Sequence, residues 1–187
     1  MAAIGGFYGG FWDTGEQEAA LEGIFQAQQD RGAVSAGRVW GNLEETAAGG
    51  VAQMHMSARK EQEEHECFWE WRNAGRRAAV LLDGEFYNSG ELRSALKEQG
   101  EKLETDGDAE LAGRMYLCYG PEFVKQLNGV FAMAVLDLDK KMIFLYRDRM
   151  GVKPLFYTFW KDRLYFASRI KGLLACPGIQ PEIGLEG

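Results

Sequence analysis

The 187 residues are 46% hydrophobic and 26% charged, an ordinary globular balance and about one domain's worth of chain. A formal net charge of -7 provides no basic stripe for a phosphate backbone, so nucleic acid is not expected as a partner. No apolar run is long enough to span a bilayer, and no basic-then-apolar leader opens the chain, which points to a cytoplasmic protein without membrane contact. Ile4 to Tyr8 is apolar and β-prone, a strand almost at the chain start. Ala20, Leu21, Ile24 and Phe25 then recur at helical spacing, predicting a helix over Gln17 to Gln28.

Val34 to Trp40 and Gly50 to Met56 read as strands, and the charged stretch Ser57 to Glu66, with His65 in it, as a loop. Phe68, Trp69 and Trp71 restore strand character. Ala78 to Leu82 is apolar without alternation, as in a strand buried on both faces, and is expected to end at Asp83-Gly84-Glu85. Helices follow over Ser89 to Gln99 and Asp108 to Tyr119, stopped by Gly100 and Gly120. Four more strands are predicted, at Val130 to Asp137, Met142 to Arg147, Leu155 to Trp160 and Leu164 to Ala167. Strands, two central helices and more strands make an α+β protein. Cys67, Cys118 and Cys176 form no paired framework, and His55 and His65 are too few to build a zinc site, so no metal is implied and the thiols are expected to be small buried hydrophobes.

Several motifs stand in a fixed order. They are Ile4-Gly5-Gly6-Phe7, Asp83-Gly84-Glu85-Phe86-Tyr87-Asn88, Thr105-Asp106-Gly107-Asp108-Ala109-Glu110, Leu127-Asn128-Gly129-Val130-Phe131-Ala132, the run from Arg147 to Tyr157, and Phe166-Ala167-Ser168-Arg169-Ile170-Lys171. Together they resemble the amino-terminal class II glutamine amidotransferase domain of asparagine synthetases, over nearly all the chain and least between Ala33 and Gly75. The resemblance implies the Ntn-hydrolase fold, a four-layer αββα sandwich of two facing antiparallel sheets with outer helices. It assigns residues 1–180 to the amidotransferase-like domain and 181–187 to the start of a linker toward a downstream synthetase domain. If that domain is absent, an apolar patch is expected to be exposed around the carboxy-terminal strands, with Leu173, Leu174 and Ile179 as the candidate residues.

In that family an amino-terminal cysteine attacks the carboxamide of glutamine, its own amine serving as base, and ammonia passes to the second domain. Ala2 stands at the nucleophile position here, and a methyl group can neither ionise nor attack. Asp83 stands where an asparagine amide donates to the oxyanion, beside Gly84, whose backbone N–H is the other donor. Losing one such donor costs about 10²–10³-fold in rate, and a carboxylate in its place repels the developing charge. His55 takes the position of an arginine that grips the substrate carboxylate, and imidazole has no bidentate fork. Glu85 and Asp108 remain where the family binds the substrate amine, although Glu85 at a turn and Asp108 as a helix cap would serve equally well.

The resemblance therefore implies a pseudo-glutaminase domain of an ATP-dependent amide-forming ligase. Degenerate relatives include ligases that close lasso-peptide rings or β-lactams. ATP and magnesium are implied for the downstream domain alone, and no cofactor for this one, which contains no phosphate-binding loop. A stand-alone amino-acid-binding or regulatory module, with Glu85 and Asp108 as its ligands, is the second reading. A still-active glutamine-dependent asparagine synthetase domain is the third. The partners implied are the synthetase domain of the same polypeptide and an amino-acid ligand, and a homodimer is compatible with both.

Overall fold

A computed structural model describes residues 3–9, 14–28, 35–42, 51–58, 67–73 and 76–181, and for residues 14, 35–42, 51–58, 73 and 76 the backbone alone. Ala2, His65 and the linker residues 182–187 lie outside them. Nine strands form two antiparallel sheets: β1 (Ala3–Tyr8), β2 (Ser35–Asn42), β3 (Val51–Ala58), β4 (Phe68–Asn73), β5 (Arg76–Phe86), β6 (Gly129–Asp137), β7 (Met142–Arg147), β8 (Phe156–Trp160) and β9 (Arg163–Ala167). The first sheet has the order β2-β3-β1-β9-β8 and the second β4-β5-β6-β7. Helices α1 (Thr14–Gln26) and α4 (Ile170–Leu174) pack on the first sheet; α3 (Asp108–Tyr119) packs on the second, with α2 (Ser89–Glu98) beside it.

Side chains alternate between the two faces of a strand, and this alternation assigns every core residue to a layer. In β5, Ala79 and Leu81 face the other sheet, while Val80 and Leu82 face α2 and α3. In β6, Ala132, Ala134 and Leu136 point inward; Phe131, Met133 and Val135 point to the helices. Both strands are buried on both faces, which is why Ala78 to Leu82 shows no polar alternation. On the first sheet Ile4 and Phe166 meet the inter-sheet layer, and Phe7, Tyr165 and Ala167 pack under Ala20, Leu21 and Ile24 of α1. Three apolar layers separate four structural ones, the αββα sandwich.

Three differences from the sequence reading have physical causes. Strand β5 does not end at Asp83-Gly84-Glu85 but continues to Phe86, because it stays paired with β6 along its length, from Ala78↔Asp137 to Phe86↔Gly129. Helix α3 ends at Gly120, yet Pro121 then opens a 3₁₀ helix over Gly120–Gln126 that buries Phe123, a use of proline at a helix start rather than as a terminator. Of the three residues expected in an exposed patch, Leu173 is buried and Ile179 packs against the α1–α4 layer, leaving only Leu174 in solvent.

Candidate functional site

Strand pairing gathers the motifs at one end of the sandwich. Residues 83–88 and 127–132 are partners across β5 and β6, with Asp83↔Ala132, Gly84↔Phe131 and Glu85↔Val130. The turn beyond them is closed by side chains: Asn88 Nδ2 donates to the Gln126 carbonyl at 2.9 Å, and Asn88 Oδ1 accepts the Asn128 N–H at 3.0 Å. Gly84 sits at φ +149, and a Cβ there would come within 2.0 Å of the Val130 carbonyl oxygen, so only glycine fits.

The run from Arg147 onward is a loop tied by its own first residues. Asp148 is buried and accepts the N–H groups of Val152 and Lys153 at 3.0 Å each and of Phe131 at 3.3 Å. Burial pushes its carboxyl up, but these N–H bonds, with Gly151's, outweigh burial and hold it below the ordinary carboxylate value. Arg147 donates to the carbonyls of Lys153 and Gly151 at 2.8 and 2.7 Å. The loop so fixed brings Lys153 Nζ to 2.9 Å from Asp83 Oδ1, where Asp83 is fully buried and the lysine side chain 15% exposed. Sequence reasoning quoted Lys153 as part of a motif without giving it a role. The signal was available: an acid at the end of a doubly buried strand requires a cation, and one motif offers a lysine between a glycine turn and a proline. The buried Asp83 carboxylate is thus matched by an ammonium.

Asp108 opens α3 without capping it. The N-cap is Gly107, which makes no side-chain capping bond, and Asp108 reaches back across the site so that its Oδ2 accepts the Phe86 N–H at 2.7 Å. Oδ1 lies 3.6 Å from Arg93. Burial raises the Asp108 carboxyl above its ordinary value, more than the Phe86 N–H and Arg93 lower it, and nearby Glu85 adds to the rise. Glu85 itself is exposed. The loop before α3 is held by Glu110, whose carboxylate accepts the N–H groups of Glu104 and Thr105 at 2.8 and 2.6 Å and the Thr105 hydroxyl at 2.8 Å. Burial alone would raise Glu110, but these bonds, with Arg114 nearby, bring it below the ordinary carboxylate value.

On the opposite sheet, the backbone of His55 pairs with Gly5 of β1 on one side and Arg38 of β2 on the other. The strand placement brings His55 next to the head of β1. Ala3, the first described residue, is buried and pairs with Ser57. The following residue is anchored by Ser168, another motif member whose role was not read from sequence: the Ile4 N–H donates to Ser168 Oγ at 3.0 Å, and the Ser168 N–H donates to the Ile4 carbonyl at 2.8 Å. Gln28 Oε1 also accepts the Ser168 N–H, at 3.0 Å, joining α1 to the same point. A separate open groove of about 680 Å³ runs between residues 124–131 and 147–150. None of Asp83, Glu85 or Asp108 lines it, so it borders the motif end without being the site built from them.

Two layers of sheet between layers of helix, with glycine, acid and anchored first strand at one end, define an Ntn-hydrolase-type amidotransferase fold. The chain belongs to the glutamine amidotransferase domain family, which matches residues 1–187. Within that family it is an asparagine synthetase-like class II domain. It is 38% identical over 108 residues to glutamine-hydrolysing asparagine synthetase 3 of Bacillus subtilis, a match covering 58% of this chain and 18% of that protein. It is 42% identical over 98 residues to synthetase 2 of the same organism, covering 52% and 13%. The matched segments thus span less than a fifth of these relatives. Among solved structures, glutamine phosphoribosylpyrophosphate amidotransferase of B. subtilis, complexed with ADP and GMP, superposes with a TM-score of 0.70 at 17% identity, over 93% of this chain and 43% of that one. That likeness supports the fold.

Proposed function

We propose that this is a pseudo-glutaminase domain, which supports or regulates an ATP-dependent amide-forming domain of the same polypeptide without hydrolysing glutamine. The observation that carries the reading is Ala2: the thiolate that would form the acyl intermediate is replaced by a methyl group. Three further features support it. Asp83 occupies the oxyanion position and is bound to Lys153 rather than presenting an amide N–H. His55 stands in the arginine position, and Asp108 is engaged with Phe86 and Arg93, which leaves less of it for a substrate amine. That engagement also counts against a stand-alone amino-acid sensor. ATP and magnesium belong, in this reading, to the downstream domain. No helix among the described residues is long and apolar enough to cross a membrane.

The test is ammonia release from glutamine by the purified full-length protein against a heat-killed control. No release above control is expected, together with synthesis of an amide that needs ATP and an amine from another source. A covalent adduct formed at the amino-terminal residues by a glutamine-mimicking electrophile would overturn the reading.

A further inference from the structure

Among the described residues, strand β8 closes one edge of the five-stranded sheet and pairs with β9 alone. Edge strands that meet water are ordinarily blunted by an inward charge, a proline or a bulge. The sequence Phe156-Tyr157-Thr158-Phe159-Trp160 carries none of these. Tyr157 is 63% exposed, Phe159 69% and Trp160 41%, and the first two rings meet edge to face at 6.1 Å. Register says which face they are on. Tyr157 lies opposite Phe166 and Phe159 opposite Leu164, and Phe166 belongs to the layer between the sheets, whereas Phe156 packs with the helix layer. Tyr157 and Phe159 therefore continue the inter-sheet core outward, past partly buried Leu155, whereas Trp160, opposite Arg163, lies on the helix side of the strand. Of the nine large apolar side chains exposed among the described residues, eight lie from Met142 onward.

We infer that this aromatic edge is the docking surface for the synthetase-type domain of the same polypeptide; the inference rests on the reading proposed above. Two observations favour that occupant over a second copy. Gly178 passes the end of β8, close enough that a Cβ on it would lie 2.8 Å from Trp160 Nε1, so the chain after α4 reaches the end of the strand that carries the patch, on its helix side. The matched relatives are also far longer than the segment they share with this chain, which covers 13–18% of them. A domain tethered beside the edge reaches it at an effective concentration of about millimolar, well above what a second copy supplies in solution. Burying the Tyr157 and Phe159 rings removes the apolar face of this edge from water.

The test uses the full-length protein. Tyr87 and Tyr157 are both 63% exposed in this structure, which makes Tyr87 an internal control. Hydroxyl-radical labelling read by mass spectrometry is expected to leave Tyr157 severalfold less oxidised than Tyr87, with Phe159 protected alongside it. The protection should persist on dilution to concentrations at which sedimentation reports a monomer. The double variant Y157E/F159E should speed proteolytic separation of the domains. Equal oxidation of Tyr157 and Tyr87 would overturn the proposal. So would protection lost on dilution, which would assign the edge to a second copy. Ammonia release from glutamine in the same protein would sink the pseudo-glutaminase reading while leaving the labelling result to stand or fall separately.

Discussion

The two walls of the candidate site are built from side chains with different obligations. On the β5–β6 wall, Asp83 binds Lys153, Asp108 holds the Phe86 N–H, and Asp148 fixes the loop that delivers the lysine. Each of these acids is a strut as well as a wall. On the other wall, strand pairing sets the His55 backbone beside Gly5 of β1, and in the proposed reading His55 and Ala2, which precedes the described residues, take the positions from which the family's counterparts grip the substrate carboxylate and attack glutamine. Under the pseudo-glutaminase reading, change concentrates where a side chain carries chemistry alone and is resisted where it also holds the fold.

The sharpest way to break that comparison is at Lys153. Lys153→Met leaves a fully buried carboxylate without its cation and should cost about 3–5 kcal/mol in urea denaturation. Removing both charges, in D83L/K153M, should recover much of the loss, since an apolar pair of similar volume is often neutral. A K153M cost below about 1 kcal/mol, the range of exposed pairs, would mean that Asp83 is no strut. Gly84→Ala comes next, at about 3 kcal/mol, from a strained φ and a Cβ driven into the Val130 carbonyl. A near-neutral result there would show that β5 can move away from β6.

Asp108 separates the strut from the charge. Asp108→Ala leaves the buried Phe86 N–H without an acceptor and should cost about 1–3 kcal/mol. Asp108→Asn keeps an acceptor oxygen and removes a carboxylate that burial already disfavours, so it should change stability by less than the alanine variant. Equal costs would indicate that the ion pair with Arg93, not the bond to Phe86, is what matters.

Acid should act through Asp148. Its folded-state value lies below the ordinary 3.8, so its contribution is complete at neutral pH and persists as pH falls toward that ordinary value. Below it the contribution drains away, and it is gone once pH has passed the depressed folded value. Unfolding free energies measured at a series of pH values should fall less steeply at the acid end for Asp148→Asn than for the wild type. Parallel curves would show that other carboxylates, such as Glu110, carry the acid sensitivity.

The layers were legible because periodicity reports burial: the unbroken run from Ala78 to Leu82 announced a strand covered on both sides, and α1's apolar positions announced its buried face. Ends of elements were less legible. Asp83-Gly84-Glu85 has the composition of a turn, and only the neighbouring strand β6, distant in sequence, keeps those residues extended. The site was read through motif positions, which place Asp83, Gly84, Glu85 and Asp108 at one end of the sandwich but not their partners. Ion pairing between residues 83 and 153, and anchoring of Ile4 by Ser168, depend on contacts across long sequence separations that no local pattern encodes. Asp108 illustrates the same limit, since its position before a helix suggests a cap and its bond goes instead to the end of β5.

The smallest effect is expected on the other wall. Ala2→Cys adds one sulfur atom, and stability should stay within about 0.5 kcal/mol, the range of mild substitutions. With Met1 removed, the variant would present both a thiol and a terminal amine, the pair the covalent step requires. Ammonia release should nevertheless remain far below that of an intact glutaminase, because Asp83 still places a lysine-bound carboxylate at the oxyanion position and His55 lacks the fork for a carboxylate. Adding Asp83→Asn should then raise the rate at an unchanged KM, since an oxyanion donor acts in the transition state, whereas adding His55→Arg should lower KM. Full glutaminase activity from Ala2→Cys alone would show that the two walls never diverged and that a single atom separates this domain from an active one.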